Sequence, residues 1–204
     1  MRPVAAVALA PPRIKMPPMK AVRFPRLTTP RLVLRAPSER DIAAWFARAS
    51  DVESASLAGD PVPDDISAGE RWLARSRQRF ADGKAIQWSL DQAGVSDAIG
   101  TITLSFATDA KAAALGFVLA RAHWGQGLGS EAAREVVRYA FETLALEQVT
   151  AEAVARNSAS LRILAKLGFK HIESFIDEAD GEHCERFALD ADVGSLASNA
   201  MPDC

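Results

Sequence analysis

The chain reads as one mixed α/β domain, and three features of its sequence predict that class. Segments of period-two alternation interleave with segments of helical periodicity in the order β-α-α-β-β-β-α-β-α-β-β, with no internal repeat. Gly125, Gly127 and Gly129 alternate where a strand gives way to the longest helix. The 204 residues are 49% hydrophobic and 25% charged with a net charge of -2, the profile of a globular protein with room for a substantial core.

Residues 31–35 alternate around Leu32, Val33 and Leu34 and predict the first strand. Ser38 lies three residues ahead of Asp41, a helix-start pattern, and Ile42, Trp45, Phe46 and Ala49 follow at helical spacing. A loop rich in Gly, Pro and Asp occupies 59–65. Ser67 and Glu70 then open a second helix that carries Trp72, Leu73, Ser76 and Phe80 and stops at Gly83. Strands are expected at 85–90, 98–106 and 113–119, with turn residues at 92–94 and 108–109 making short antiparallel hairpins.

The longest helix begins near Leu128. Ala132, Val136, Ala140 and Leu144 form its apolar row, with Ala133, Val137 and Phe141 beside it; Glu131, Arg134, Glu135 and Arg138 take the opposite face. A strand at 148–155, a helix at 157–167 ended by Gly168, and strands at 169–176 and 183–189 joined by a turn at Asp180 and Gly181 complete the order. Domain boundaries follow: a proline-rich, basic, flexible arm at 1–25, the folded domain at 26–190, and a polar tail at 191–204.

No apolar run reaches the roughly 18 residues of a membrane span, and the stretch from Val4 to Ala10 is too short for a secretory signal. Cys184 and Cys204 form neither a disulfide framework nor a metal-ligand cluster, so no metal and a reducing cytoplasm are expected. Charge is unevenly spread. Residues 1–38 carry eight bases and no acid, residues 49–70 six acids and no base, and residues 173–192 eight acids against Arg186. The arm lacks interleaved aromatics apart from Phe24, which argues against nucleic acid as a partner.

The glycine turn predicts an anion site. Glycine lets the backbone turn sharply and approach a ligand, and a helix N-terminus adds exposed N–H groups and partial positive charge. A Walker loop would need Gly-Lys-Ser/Thr, and this segment has no lysine. A dinucleotide fingerprint would place Ser130 third, with Glu147 and Glu152 as ribose partners, yet antiparallel strands precede the unit and no second half follows.

Residues 124–132 resemble the coenzyme A loop of the GNAT acetyltransferases, Gln/Arg-x-x-Gly-x-Gly/Ala, with Trp124 first, Gly127 fourth and Gly129 sixth. A tryptophan there is similar to the RimJ/RimL branch of ribosomal-protein N-acetyltransferases. Residues 27–35 with Asp41, 99–102, 115–119 and 157–169 resemble other motifs of that branch in order, so the likeness covers 27–190.

The resemblance implies a GNAT fold: a mostly antiparallel sheet splayed between its fourth and fifth strands, flanked by about four helices. It implies acetyl-CoA as cosubstrate, pyrophosphate on Trp124, Gly125, Gln126, Gly127, Leu128, Gly129 and Ser130, and pantetheine along Phe117, Val118 and Leu119. The Val118 N–H is expected to face the thioester carbonyl. Asn157 is expected to order the pantetheine, and Ser160 to hydrogen-bond the departing sulfur as the catalytic group. Asn157 also suits a simple helix cap.

Two departures matter. Leu164 and Ala165 replace a tyrosine and glutamate common in the family, leaving Tyr139 as the single tyrosine, and residues 115–117 offer no strand glutamate as base. His123 is a minor candidate; a carboxylate from the acidic stretches is favoured. Such enzymes transfer acetyl directly, without an acyl-enzyme.

The function so implied is acetyl-CoA-dependent N-acetylation of a primary amine by a monomer or homodimer. A protein N-terminal amine is the first acceptor; an aminoglycoside or polyamine is the alternative, and a non-catalytic CoA sensor the reading from another class. The acidic stretches, including Asp64, Asp65, Asp177 and Asp180, are expected to form an anionic funnel for a cationic amine.

Overall fold

The computed structural model describes residues 23–107, 111–178 and 181–191. Most of the expected arm, the turn at 108–109, Asp180, nearly all of the tail and Cys204 lie outside the described residues. All eleven expected elements are present. In chain order they are β2 (Leu32–Arg35), α1 (Ile42–Ala49), α3 (Ser67–Ala81), β3 (Ala85–Gln92), β4 (Gly100–Phe106), β5 (Ala112–Leu119), α4 (Leu128–Glu142), β6 (Gln148–Val154), α5 (Ser158–Lys166), β7 (Lys170–Ile176) and β8 (His183–Asp190). Two short ones join them, β1 (Leu27–Thr28) and α2 (Val52–Ala58).

The fifth helix, α2, falls inside the stretch that sequence treated as an acidic run. Asp51 caps it by accepting from the Ser54 N–H at 2.7 Å, and Gly59 stops it at φ +69°. Its seven residues are too few to show an apolar stripe, which is why periodicity missed it.

The eight strands form one sheet, ordered β1-β2-β3-β4-β5-β6-β8-β7, in which every pair is antiparallel except β5 with β6. The core lies between this sheet and α4, whose Ala132, Ala133, Val136 and Ala140 are fully buried. Small side chains there let the helix sit close above Trp88, Ile102 and Leu104, all 0% exposed. Tyr139 meets Trp88 edge-on at 6.0 Å, so it belongs to this packing.

An ionic knot ties β2 to the start of α1. Arg35 donates from Nη1 and Nη2 to the Asp41 carboxylate at 2.7 and 2.6 Å, and from Nε and Nη2 to Asp91 at 2.6 and 2.7 Å. Asp41 also accepts from the Ser38 N–H at 2.8 Å, completing the helix start read from sequence, and from Ser89 Oγ at 3.0 Å.

Candidate active site

β5 and β6 pair only from Ala112 with Gln148 to Leu115 with Ala151; beyond that register they part. The opening is the expected splay, and strand parity decides what faces it. Ala107 donates to the Ala112 carbonyl and Ala120 to that of Ile99, which makes the even-numbered residues of β5 the ones bonded to β4. The Val118 N–H is therefore turned to Thr101 of β4 and away from the gap, correcting the sequence expectation. Phe117 and Leu119 turn their backbone groups into the gap instead. The Leu119 carbonyl already accepts from the Trp124 indole at 2.7 Å.

A cleft of about 360 Å³ opens at this splay. Eleven of the twelve sequence-predicted site residues line it: Phe117, Val118 and Leu119, then Trp124, Gly125, Gly127, Leu128, Gly129 and Ser130, and finally Asn157 and Ser160 of α5. Gln126 does not; its amide turns back to the Ala122 carbonyl at 2.9 Å. His123 is on the wall too.

The three glycines have separate reasons. Gly125 at φ +73° and Gly127 at φ +76° adopt a left-handed backbone that L side chains enter only with strain. Gly129 lies inside α4, where a Cβ would come 3.1 Å from Ile163 Cδ1 of α5. The turn is fastened from outside: Arg31 donates to the Gln126 carbonyl at 2.9 Å and from Nε to Glu131 at 2.6 Å, while Thr29 Oγ1 donates to Glu131 at 2.5 Å. Glu131 is thus a fastening, which its place on the polar face of α4 did not reveal.

Asn157 caps α5, accepting from the Ser160 N–H at 3.0 Å, and its amide donates to the Leu57 carbonyl of α2 at 3.2 Å. The capping alternative is thus realised. Sequence reasoning missed Ser54, Leu57 and Ala58 of α2, and Arg162 and Lys166 of α5, which also line the cleft. Arg162 and Lys166 were legible only as the polar face of a helix.

A second cavity of about 760 Å³ lies between β5, β6 and helices α1 to α3. It shares six residues with the first: Leu57, Ala58, Phe117, Val118, Asn157 and Ser160. Four acids reach its wall, Asp60, Asp64, Glu152 and Asp177, but so do Arg48, Arg71, Arg75 and Arg79. Much of the expected anionic funnel is committed elsewhere. Asp51 and Glu53 pair with Arg121, Asp65 accepts from Ser67, Glu182 pairs with Arg156 and Glu173 with Arg186. Burial holds the Asp60 carboxyl above its ordinary range, against the pull of Arg48 and Arg75. Burial likewise pushes Arg48 down to about 10, opposed by Asp60.

Residues 31–170 match the acetyltransferase (GNAT) domain family. The chain belongs to the GNAT acetyltransferases. It is 30% identical over 148 residues to the N-acetyltransferase YoaA of Bacillus subtilis, across 72% of this chain and 84% of that one. Its fold matches the spermidine N-acetyltransferase of Vibrio cholerae, solved with CoA and spermine, at a TM-score of 0.71, with 15% identity over 80% of this chain and 98% of that one. It also matches Mycobacterium smegmatis RimJ, solved with CoA-disulfide, at 0.68, with 19% identity over 79% and 82%. This GNAT protein is an N-acetyltransferase that takes its acetyl group from acetyl-CoA. No helix among the described residues is long and apolar enough to cross a membrane.

Proposed function

We propose that this GNAT enzyme acetylates the N-terminal amine of a protein where its two cavities meet. The six residues common to both cavities carry this reading, because Ser160 and the Phe117 backbone touch donor and acceptor spaces at once. The turn at 124–130 holds the pyrophosphate on the Leu128, Gly129 and Ser130 N–H groups, which come before Glu131, the first intrahelical N–H donor of α4. Arg162 and Lys166 add positive charge toward the phosphates.

The pantetheine runs along β5 toward the acceptor side, as an added strand on the Phe117 backbone groups and the Leu119 N–H, the Leu119 carbonyl being held by the Trp124 indole. Leu119 lines the donor cleft alone whereas Phe117 lines both, so the Phe117 N–H is the donor at the thioester carbonyl. The acceptor nitrogen bonds to the acetyl carbon as the carbon–sulfur bond breaks. Ser160 Oγ, which has no hydrogen-bond partner among the described residues, donates a hydrogen bond to the departing sulfur and relays to it a proton from solvent water, so that the hydroxyl is restored. Asp60, with its raised proton affinity, takes the amine proton through water.

The RimJ/RimL-like tryptophan turn and the fold shared with RimJ support a protein N-terminus as acceptor. A small-molecule amine is the second reading, supported by the fold of the spermidine enzyme, whose TM-score of 0.71 is above the 0.68 of RimJ. Incubation with acetyl-CoA and a panel of peptides and small amines, read by mass spectrometry, tests the proposal. Acetylated peptide N-termini are expected; CoA binding without transfer to any amine would leave the sensor reading. Ser160→Ala is expected to lower kcat by about 10²-fold or more while CoA still binds in calorimetry. Full kcat in that variant would remove Ser160 from proton transfer.

A further inference from the structure

The acceptor cavity is lined by a row of arginines, Arg71 and Arg75 exposed and Arg48 and Arg79 half-buried, that among the described residues touch no carboxylate. Arg71, Arg75 and Arg79 recur at every fourth residue of α3, so they share one face, and Arg48 joins them from α1. Arg71 Nη1 donates to Ser67 Oγ at 2.6 Å and Arg79 Nη2 to Ser105 Oγ at 3.0 Å. Among the described residues, no carboxylate lies in ion-pair range of any of the four. Asp60 acts on Arg48 and Arg75, and Asp65 on Arg71, only from farther away. Other arginines are anchored differently: Arg31, Arg35, Arg121, Arg138, Arg156 and Arg186 each meet a carboxylate at 2.6–2.9 Å.

Like charges four apart on a helix repel, and the half-buried Arg48 is desolvated without a counter-ion in contact. Both penalties fall when an anion enters. The cavity's acids come from other walls: Asp60 and Asp64 from the loop after α2, Glu152 from β6 and Asp177 from the end of β7. The cationic charge is thus gathered on α1 and α3, while the acids sit on the other walls, Glu152 already paired with Arg186 at 2.7 Å, so the wall of α1 and α3 is the one matched to an anionic group on the acceptor.

We infer that the acceptor is an amine carrying a carboxylate, either a free amino acid or a peptide with an acidic residue next to its N-terminus. The carboxylate docks on Arg71 and Arg75 and the amine points to the junction at Phe117 and Ser160. A guanidinium presents two parallel N–H groups that fit a carboxylate, which an ammonium or a hydroxyl row would not. This inference rests on the acetyl-transfer reading above; the peptide form narrows its protein acceptor, and the free amino acid form falls under its small-molecule alternative.

The test compares kcat/KM for matched acceptors: peptides beginning Ser-Asp-Glu, Ser-Asn-Gln and Ser-Lys-Lys, free aspartate and its diamide, and spermidine. Carboxylate-bearing acceptors are expected to exceed their amide counterparts by roughly tenfold or more, the size of one charge-assisted contact. Arg71→Gln and Arg75→Gln are expected to collapse that ratio through KM, and Arg75→Lys to restore part of it. Retained CoA binding in calorimetry reports that each variant's donor site is folded. Whether the peptide or free aspartate leads identifies the source of the carboxylate, and either supports the inference. Preference for the lysine peptide or spermidine, or a ratio the substitutions leave unmoved, would overturn it while acetyl transfer stands. Transfer to no acceptor at all would overturn both readings.

Discussion

Asp41→Ala is expected to destabilise the fold by about 3–5 kcal/mol in urea unfolding, the cost of breaking a buried ion pair by removing one partner. Asp41 is 2% exposed and accepts from two nitrogens of Arg35, the Ser38 N–H and Ser89 Oγ. Without it the Ser89 hydroxyl, in a residue 0% exposed, loses its acceptor, and the Arg35 guanidinium keeps Asp91 as its one carboxylate partner, beside the Ala36 carbonyl. The same loss frees α1, which carries Arg48 to the acceptor cavity, so catalysis should fall with stability. A loss below about 1 kcal/mol would mean that Asp91 alone can hold Arg35.

The pH dependence follows from the sign of the Asp41 shift. Burial favours its neutral form, but the Arg35 and Ser38 hydrogen bonds outweigh burial, and the carboxyl titrates below its ordinary range. A depressed folded-state pKa contributes stability that is present above the unfolded value, near about 3.9 for aspartate, and is lost as pH falls through the folded one. The stability gap between the native protein and Asp41→Asn should therefore stay flat from about pH 5 to 8 and shrink below about pH 4. A gap that widened on acidification would contradict the pairing.

What the sequence revealed and what it hid divide along physical lines. The glycine turn, the small-residue face of α4 and the Ser38–Asp41 helix start are local patterns whose geometry is set within a few residues. The exchange of Val118 for Phe117 is different. Which strand edge an N–H faces depends on the pairing register with β4, and one residue of register reverses it. The acidic stretches were legible only in part, because charge proximity along the chain says nothing about partners: Asp60, Asp64 and Asp177 do line the cavity, while Arg121 and Arg156, distant in sequence, bind Asp51 and Glu182. Arg156 also donates to the Ser56 carbonyl at 3.1 Å, so these pairs pin α2 beside the junction. The arginines of α3 were visible at their spacing, yet a polar helix face reads as solvated until the fold places a cavity against it.

Gly127 is where the proposed donor site is most exposed to a single change. A Cβ there would meet only Arg31 Nη2 at 3.5 Å, an ordinary contact, so space does not exclude a side chain; the left-handed φ does. An L residue pays about 1–2 kcal/mol in that conformation. If the turn relaxes to escape the strain, the Leu128, Gly129 and Ser130 N–H groups lose their common aim, and CoA must restore it on binding. The expected result is a CoA Kd raised by roughly five- to thirtyfold in Gly127→Ala, the equivalent of that strain. Gly127→Val should be worse, because a β-branched side chain is a genuine outlier at positive φ. Gly127→Asn should recover most of the affinity, since asparagine enters the left-handed region readily. That order, Val worst and Asn best, separates backbone conformation from bulk, because asparagine is no smaller than valine in reach. Equal affinity in all three variants would detach the turn from the pyrophosphate. A loss graded by size, least in Ala, would make side-chain volume the cause, leaving Arg31 and the fastening of Glu131 as the feature that a larger residue disturbs.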